Sequence, residues 1–219
     1  MQEIRVIDNF LSEQSFSKIK HTFENNLPWY FGHILNDDMF VDDQKYNMQL
    51  VHQFLSYWSL EDNSIPEGCK LKIFDQIQPQ TKVKVKKGHI VQYTSDYYSV
   101  IEPILKRIGS KDYTRIKANL TAYNPHPVQG GFHVDRPDDV DKDSRTAVYY
   151  INTNNGGTEF ELGEFIESVE NRMVIFPCRM RHQGVGATDS KARMVLNINW
   201  KRHGKQGLTQ GDRDAMIWR

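Results

Sequence analysis

The chain has 219 residues, with 28 basic and 28 acidic side chains. That length suits one substantial domain, and the even balance gives no overall charge to draw the protein to nucleic acid or an anionic membrane. No apolar run approaches the roughly 18 residues needed to cross a bilayer, and Met1 to Phe10 lacks the apolar core of a signal peptide. Cys69 and Cys178 are far apart and outside any zinc-ligand spacing, which suggests free thiols in a reducing compartment. The expectation is a cytoplasmic protein without a membrane span.

In chain order, Arg5-Val6-Ile7 reads as an opening strand. Ser12 to Asn26 reads as a helix with Phe16, Ile19 and Phe23 on one side and Ser12 as its cap. Tyr46 to Trp58 mixes alternation with helix-spaced apolar positions; Tyr46, Met48, Leu50, His52 and Phe54 on one side favour a strand. Lys82-Val83-Lys84-Val85-Lys86 alternates and fits an edge strand protected by lysines better than a nucleic-acid surface. Ser95 to Ile108 carries an apolar stripe from Tyr97 to Ile108 before Gly109 and reads as a helix.

From Tyr113 to Trp200 the pattern is of short strands separated by Asn, Gly, Pro and Asp turns. This predicts a mainly β (α+β) fold, an antiparallel jelly roll or double-stranded β-helix with supporting helices from the N-terminal part. Residues 1–200 form the expected single domain. Residues 201–219 form a C-terminal extension, charged and glycine-rich to Asp214 and then apolar in Ala215-Met216-Ile217-Trp218, an end suited to dock on the domain or on a second subunit.

Within the strand-rich region, His133-Val134-Asp135 has the spacing that brings two side chains to one side of an extended strand, with Val134 facing away. His182 follows the apolar run Met173-Val174-Ile175-Phe176-Pro177, with Gln183-Gly184-Val185-Gly186 read as a turn after it. Two imidazoles and one carboxylate can occupy one face of an octahedral iron(II), leaving positions open for a 2-oxo acid and dioxygen. His-x-Asp alone is common on protein surfaces; the later histidine and arginine raise its significance. In Arg193 to Trp200, Met194, Leu196, Ile198 and Trp200 point one way, and Arg193, Val195, Asn197 and Asn199 the other. Arg193, at the start of the polar face, suits a bidentate pair with a carboxylate of a dicarboxylic co-substrate. In Arg115 to Tyr123 the even positions are apolar and the odd ones polar, which places Tyr123 with Thr121 and Asn119. Tyr149 and Tyr150 must face opposite ways, so one of them can reach a pocket. Two turn-rich loops, Asn124 to Gly131 and Arg136 to Asp143, flank the proposed ligands. The acidic second loop lacks the glycine and terminal glutamate of a calcium site, and His52 and His126 lack partners at ligand spacing.

The stretch from Asn119 to Trp200 resembles the iron(II)- and 2-oxoglutarate-dependent dioxygenases, within them the prolyl-4-hydroxylase-like branch with its phage and bacterial members. The resemblance rests on Tyr123, His133, Asp135, Ala147 to Asn152, Gly156-Gly157-Thr158-Glu159-Phe160, Phe176, His182 and Arg193. It implies His133, Asp135 and His182 as ligands of Fe(II), with Arg193, Tyr123 and Tyr150 holding 2-oxoglutarate. Dioxygen is then the oxidant and ascorbate a further candidate cofactor. The implied reaction is hydroxylation of a small-molecule or peptide substrate, a peptidyl proline among the candidates, with release of succinate and CO2. Asp135 stands where the halogenating relatives carry a small residue. From the residues alone, a cupin-like metal-dependent isomerase or hydrolase using a metal-bound water, or a non-catalytic binding module, are the alternatives.

Overall fold

The computed structural model describes residues 3–32, 49–59, 81–86, 90–135 and 144–201. The loop from Arg136 to Asp143, Cys69, and the extension from Arg202 onward lie outside these residues, as do Tyr46 and Met48.

The expected opening elements form as read: strand β1 (Arg5–Ile7), then helix α1 (Glu13–Asn25), with Ser12 as N-cap accepting from the Ser15 amide and Phe16, Ile19 and Phe23 buried. β2 (Tyr30–Gly32) precedes β3 (Gln49–Ser59), which resolves the ambiguous segment as a strand. β4 (Thr81–Lys86) and β5 (Ile90–Ser95) follow. The helix expected from Ser95 to Ile108 is shorter. Ser95 ends β5, a 3₁₀ turn runs over Tyr98–Ile101, and helix α2 covers only Glu102–Ile108. Pro103 is the reason, because an α-helix running through it would need the amide hydrogen that proline lacks; proline is tolerated only in a helix's first turn. Gly109 ends α2 with φ of 74°.

The strand-rich half contains β6 (Tyr113–Ala122), β7 (Arg145–Tyr150), β8 (Gly157–Phe160), β9 (Phe165–Glu167), β10 (Met173–Pro177), β11 (His182–Val185) and β12 (Ala192–Trp200). They form two antiparallel sheets. The large one has the order β1-β10-β7-β12-β6-β3-β5-β4, with β2 also paired to β3, and the small one the order β11-β8-β9. The lysine-alternating strand β4 thus ends the large sheet, as its pattern suggested. This is the jelly roll expected from the turn pattern.

Each face of the large sheet buries a different cluster. One face packs Ile116, Ala118, Tyr149, Leu196 and Ile198 against α1 and α2. The other packs Val148, Tyr150, Val174, Phe176 and Val195 against Phe160 of the small sheet. The alternation along β12 is therefore two-sided, Met194, Leu196, Ile198 and Trp200 serving the helical side and Arg193, Val195 and Asn197 facing the other sheet. Helices support one face and leave the opposite one free to hold a cavity. The small sheet approaches its loops closely: a Cβ on Gly156 would fall 2.6 Å from the Val185 carbonyl oxygen, so only glycine fits. Among the described residues, no helix is long and apolar enough to cross a membrane.

Candidate active site

A cavity of about 320 Å³ lies on the small-sheet side of the large sheet. Its floor comes from alternate residues of two adjacent strands. Arg115, Lys117, Asn119 and Thr121 of β6 lie beside Arg193, Val195 and Asn197 of β12, paired as Arg193↔Thr121, Val195↔Asn119 and Asn197↔Lys117. Opposite residues of an antiparallel pair project to the same face, so the pairing puts these polar groups in one basin.

His133, Asp135 and His182 come together at this cavity, with one candidate ligand atom from each within 4.8 Å of the others. The local conformations differ from those expected in two ways. His182 opens strand β11 instead of preceding a turn. His133 makes a single bridge to His182, and the chain then bends at Asp135 instead of continuing as a strand. The i, i+2 alternation consequently fails at Val134, which also lines the cavity.

The imidazoles could hold a metal. Nδ1 of His133 lies 2.9 Å from the Gly131 carbonyl oxygen, and Nδ1 of His182 lies 3.0 Å from that of Met180. A carbonyl can only accept, so both rings carry their hydrogen on Nδ1 and offer the Nε2 lone pair. Burial lowers the His182 pKa, helped by neighbouring His133 and opposed by Asp135, and so favours the neutral, ligating form. Asp135 Oδ2 accepts from Thr146 Oγ1 at 3.1 Å and from Asn199 Nδ2 at 2.9 Å. Its Oδ1 faces His133 Nε2 and Arg115 Nη1, each at 3.8 Å. Burial pushes the carboxyl pKa up, but positive charge beside it, on His182 when that ring is protonated and on Arg115, and the Asn199 hydrogen bond bring it below the usual carboxylate value. The carboxylate is therefore ionised and oriented by one oxygen, with the other facing Arg115 and His133.

Arg193 occupies the far end of the floor and is only 6 % exposed. Its Nε donates to Ser168 Oγ at 3.1 Å, its Nη2 to Thr158 Oγ1 at 3.4 Å, and the guanidinium lies 5.6 Å from the Tyr150 ring centroid. These partners are neutral. Among the described residues, no carboxylate lies within ion-pair distance of this buried cation.

The two tyrosines expected beside it are placed differently. Tyr150 is the inward member of its pair, as alternation requires, but it lies fully buried behind the cavity wall. Its hydroxyl donates to Thr158 Oγ1 at 2.7 Å and lies 3.2 Å from the Ile166 carbonyl oxygen. Its contacts with the cavity lining are therefore indirect, by its hydroxyl to Thr158 and by its ring to Arg193. Tyr123 does not reach the cavity in this structure. β6 ends at Ala122, and Tyr123 is 54 % exposed beyond it, so strand alternation no longer governs its direction.

Arg115, Lys117 and Thr158 line the cavity, yet the sequence reading gave them no role. The signal was present: Arg115 and Lys117 share the odd-numbered face of β6 with Asn119 and Thr121. His126 is exposed, and His52 is buried elsewhere, between the Pro28 carbonyl oxygen and Ser95 Oγ, each 2.8 Å away. Neither belongs to the ligand cluster. Cys178 is a buried free thiol.

No protein-family model and no curated protein matches this sequence. Solved structures do resemble it. An oxidoreductase of the 2OG-Fe(II) oxygenase family from Burkholderia pseudomallei superposes with a TM-score of 0.53 at 11 % identity, over 91 % of this chain and 85 % of that one. A Pseudomonas putida prolyl-4-hydroxylase gives 0.43 at 15 % identity, over 93 % and 95 %. A Trichoplax adhaerens prolyl hydroxylase, solved with a fragment of the hypoxia inducible factor oxygen degradation domain, gives 0.49 at 12 % identity, over 99 % and 87 %. The first of these shows that the chain has the fold of a 2OG-Fe(II) oxygenase.

Proposed function

We propose that this protein is an iron(II)- and 2-oxoglutarate-dependent dioxygenase that hydroxylates its substrate, with His133, Asp135 and His182 holding the metal and Arg193 anchoring 2-oxoglutarate. One observation carries the reading: a buried guanidinium with no carboxylate partner among the described residues sits on the same cavity wall as the ligand cluster. A buried cation is stable only when matched by a charge or satisfied by strong hydrogen bonds, and a dicarboxylate bound at the metal supplies that match. A hydrolase acting through a metal-bound water has no need of such a cation.

The residues present fit the group. Two imidazoles with Nδ1 committed to carbonyls and an ionised carboxylate whose Oδ1 makes no hydrogen bond among the described residues are a donor set suited to ferrous iron. Bound iron(II), 2-oxoglutarate and dioxygen supply the oxidising chemistry, and succinate and CO2 are the co-products. The chain itself supplies orientation. Thr146 and Asn199 fix Asp135, while Ser168, Thr158 and the Tyr150 ring hold Arg193. Val128 and Val148 add apolar surface to the cavity lining. In this reading Tyr150 is a positioning residue, and Tyr123 has no part. A peptidyl proline is the substrate class that the motif resemblance suggests.

The test is anaerobic addition of Fe(II) and 2-oxoglutarate. The expected result is a weak visible metal-to-ligand charge-transfer band, with Arg193→Met moving the 2-oxoglutarate titration at least about tenfold higher and the exposed control Lys191→Ala leaving it in place. Metal binding without the band would favour the metal-bound-water chemistry instead.

A further inference from the structure

The cavity holds more positive charge than the proposed reaction uses. Its described lining contains Arg115, Lys117 and Arg193 against one carboxylate, Asp135. A divalent metal and a dicarboxylate co-substrate cancel one another, so the cavity retains an excess of cationic charge. Arg115 lies 3.8 Å from Asp135 and is partly offset by it. Lys117 has no hydrogen bond or ion pair among the described residues, although it lines the cavity and is partly buried. Beside it, Asn119 Oδ1 is buried without a hydrogen-bond partner. An ammonium and an amide oxygen left unmatched in one basin indicate that a ligand completes them.

The register separates this cation from the one assigned to 2-oxoglutarate. Lys117 lies opposite Asn197, and Arg193 opposite Thr121. The two positions are therefore four residues apart along either strand, about 13 Å. Lys117 is one same-face pair from Asn199, which bonds Asp135, and so lies toward the metal end. We infer that Lys117, with Arg115 behind it, recognises an oxyanion on the primary substrate, so that the molecule oxidised here carries a carboxylate or phosphate close to the attacked C–H bond. The inference rests on the proposed function, which assigns the Arg193 end to the co-substrate.

The experiment uses the full chain loaded with Mn(II) and 2-oxoglutarate, and reads paramagnetic broadening of probe signals by NMR. N-acetylproline and N-acetylprolinamide test a carboxylate; adenosine 5′-monophosphate and adenosine test a phosphate. The expected result is broadening of at least one oxyanion probe but not of its neutral partner. Lys117→Met should weaken that binding about tenfold or more, Lys117→Arg should retain it, and both should leave 2-oxoglutarate affinity within about twofold. Three outcomes overturn the inference: equal broadening of the charged and neutral partners, no broadening by either oxyanion probe, or loss of 2-oxoglutarate binding in Lys117→Met but not in Arg193→Met. Wild-type protein that fails to bind 2-oxoglutarate at all would overturn the proposed function as well, and the separate 2-oxoglutarate titration distinguishes that case.

Discussion

The backbones of His133 and His182 are bonded in both directions: the His133 amide donates to the His182 carbonyl oxygen at 2.9 Å, and the His182 amide donates back at 3.0 Å. This closed pair brings the two imidazole rings to a centroid separation of 4.8 Å. The side chains are thus placed by main-chain bonds that do not depend on them. His133→Ala should keep the fold, with a melting temperature within about 3 °C of wild type. It should lose metal affinity by at least about a hundredfold, more than is typical when a residue that only orients a ligand is lost. Thermal melts followed by circular dichroism and calorimetric Mn(II) titration check the two halves separately.

Arg193 is expected to cost stability in the apo protein and to return it on binding. Its pKa is lowered by burial, the mark of a cation short of counter-charge. Arg193→Met should therefore leave the metal-free protein at least as stable as wild type. Wild type with Mn(II) and 2-oxoglutarate at a hundredfold excess over Kd should gain about 2.7 kcal/mol, and at the same concentration the variant should gain less by about 1.3 kcal/mol or more. A variant that melts well below wild type without ligand would contradict this account of the guanidinium.

Asp135 is oriented from behind by Thr146 and Asn199, and Asn199 Nδ2 also donates to Thr146 Oγ1 at 2.9 Å. Thr146→Val keeps the shape and removes the hydroxyl. The expected loss is about tenfold in metal affinity, with the folded state kept. Metal titration of the variant against a Thr146→Ser control separates the hydroxyl's role from packing.

Lys117 gives a pH dependence of definite sign. Burial and neighbouring Arg115 lower its pKa from the usual 10.5 to about 7, opposed by Asp135. Between those values the unfolded chain binds the proton and the folded one releases it, so stability should rise as pH increases through this window. Below about pH 7 both states are protonated and the cost is fully present. Urea midpoints of the metal-free protein at pH 7 and pH 9 should show the rise in wild type and a smaller one in Lys117→Met.

Asn171 joins the N-terminal segment to the sheet. It has φ of 60°, accepts from the Leu11 amide at 2.8 Å and from the Tyr149 hydroxyl at 2.7 Å, and donates to the Leu11 carbonyl oxygen at 2.9 Å. Asn171→Ala should lose roughly 2–4 kcal/mol, since it strands buried partners and places alanine at a left-handed position. Denaturant unfolding measures this loss, and Asn171→Gly should recover only the backbone part.

Much of the site was legible because strand alternation is a local property. The sequence alone placed Arg193, Val195 and Asn197 on one face of β12, and Asn119 and Thr121 on one face of β6, and the cavity floor is made of those faces. It separated Tyr149 from Tyr150 by the same rule, and the two do enter different clusters. Where a strand stops, that rule stops too. Tyr123 lies just past the end of β6 and faces solvent, and Val134 shares the cavity with its neighbours because the chain bends at Asp135.

What the sequence by itself determined was chemistry and periodicity: the kinds of donor atoms, the faces of each strand, and the two-sheet architecture that their spacing requires. Only the tertiary structure decided that Lys117 and Arg115 share a cavity with His133, Asp135 and His182, that the Tyr150 hydroxyl meets Thr158, and that Arg193 is buried with no counter-charge among the described residues. Those facts depend on pairing between segments distant in sequence and on which groups water no longer reaches. Neither is written in the order of residues along a single strand.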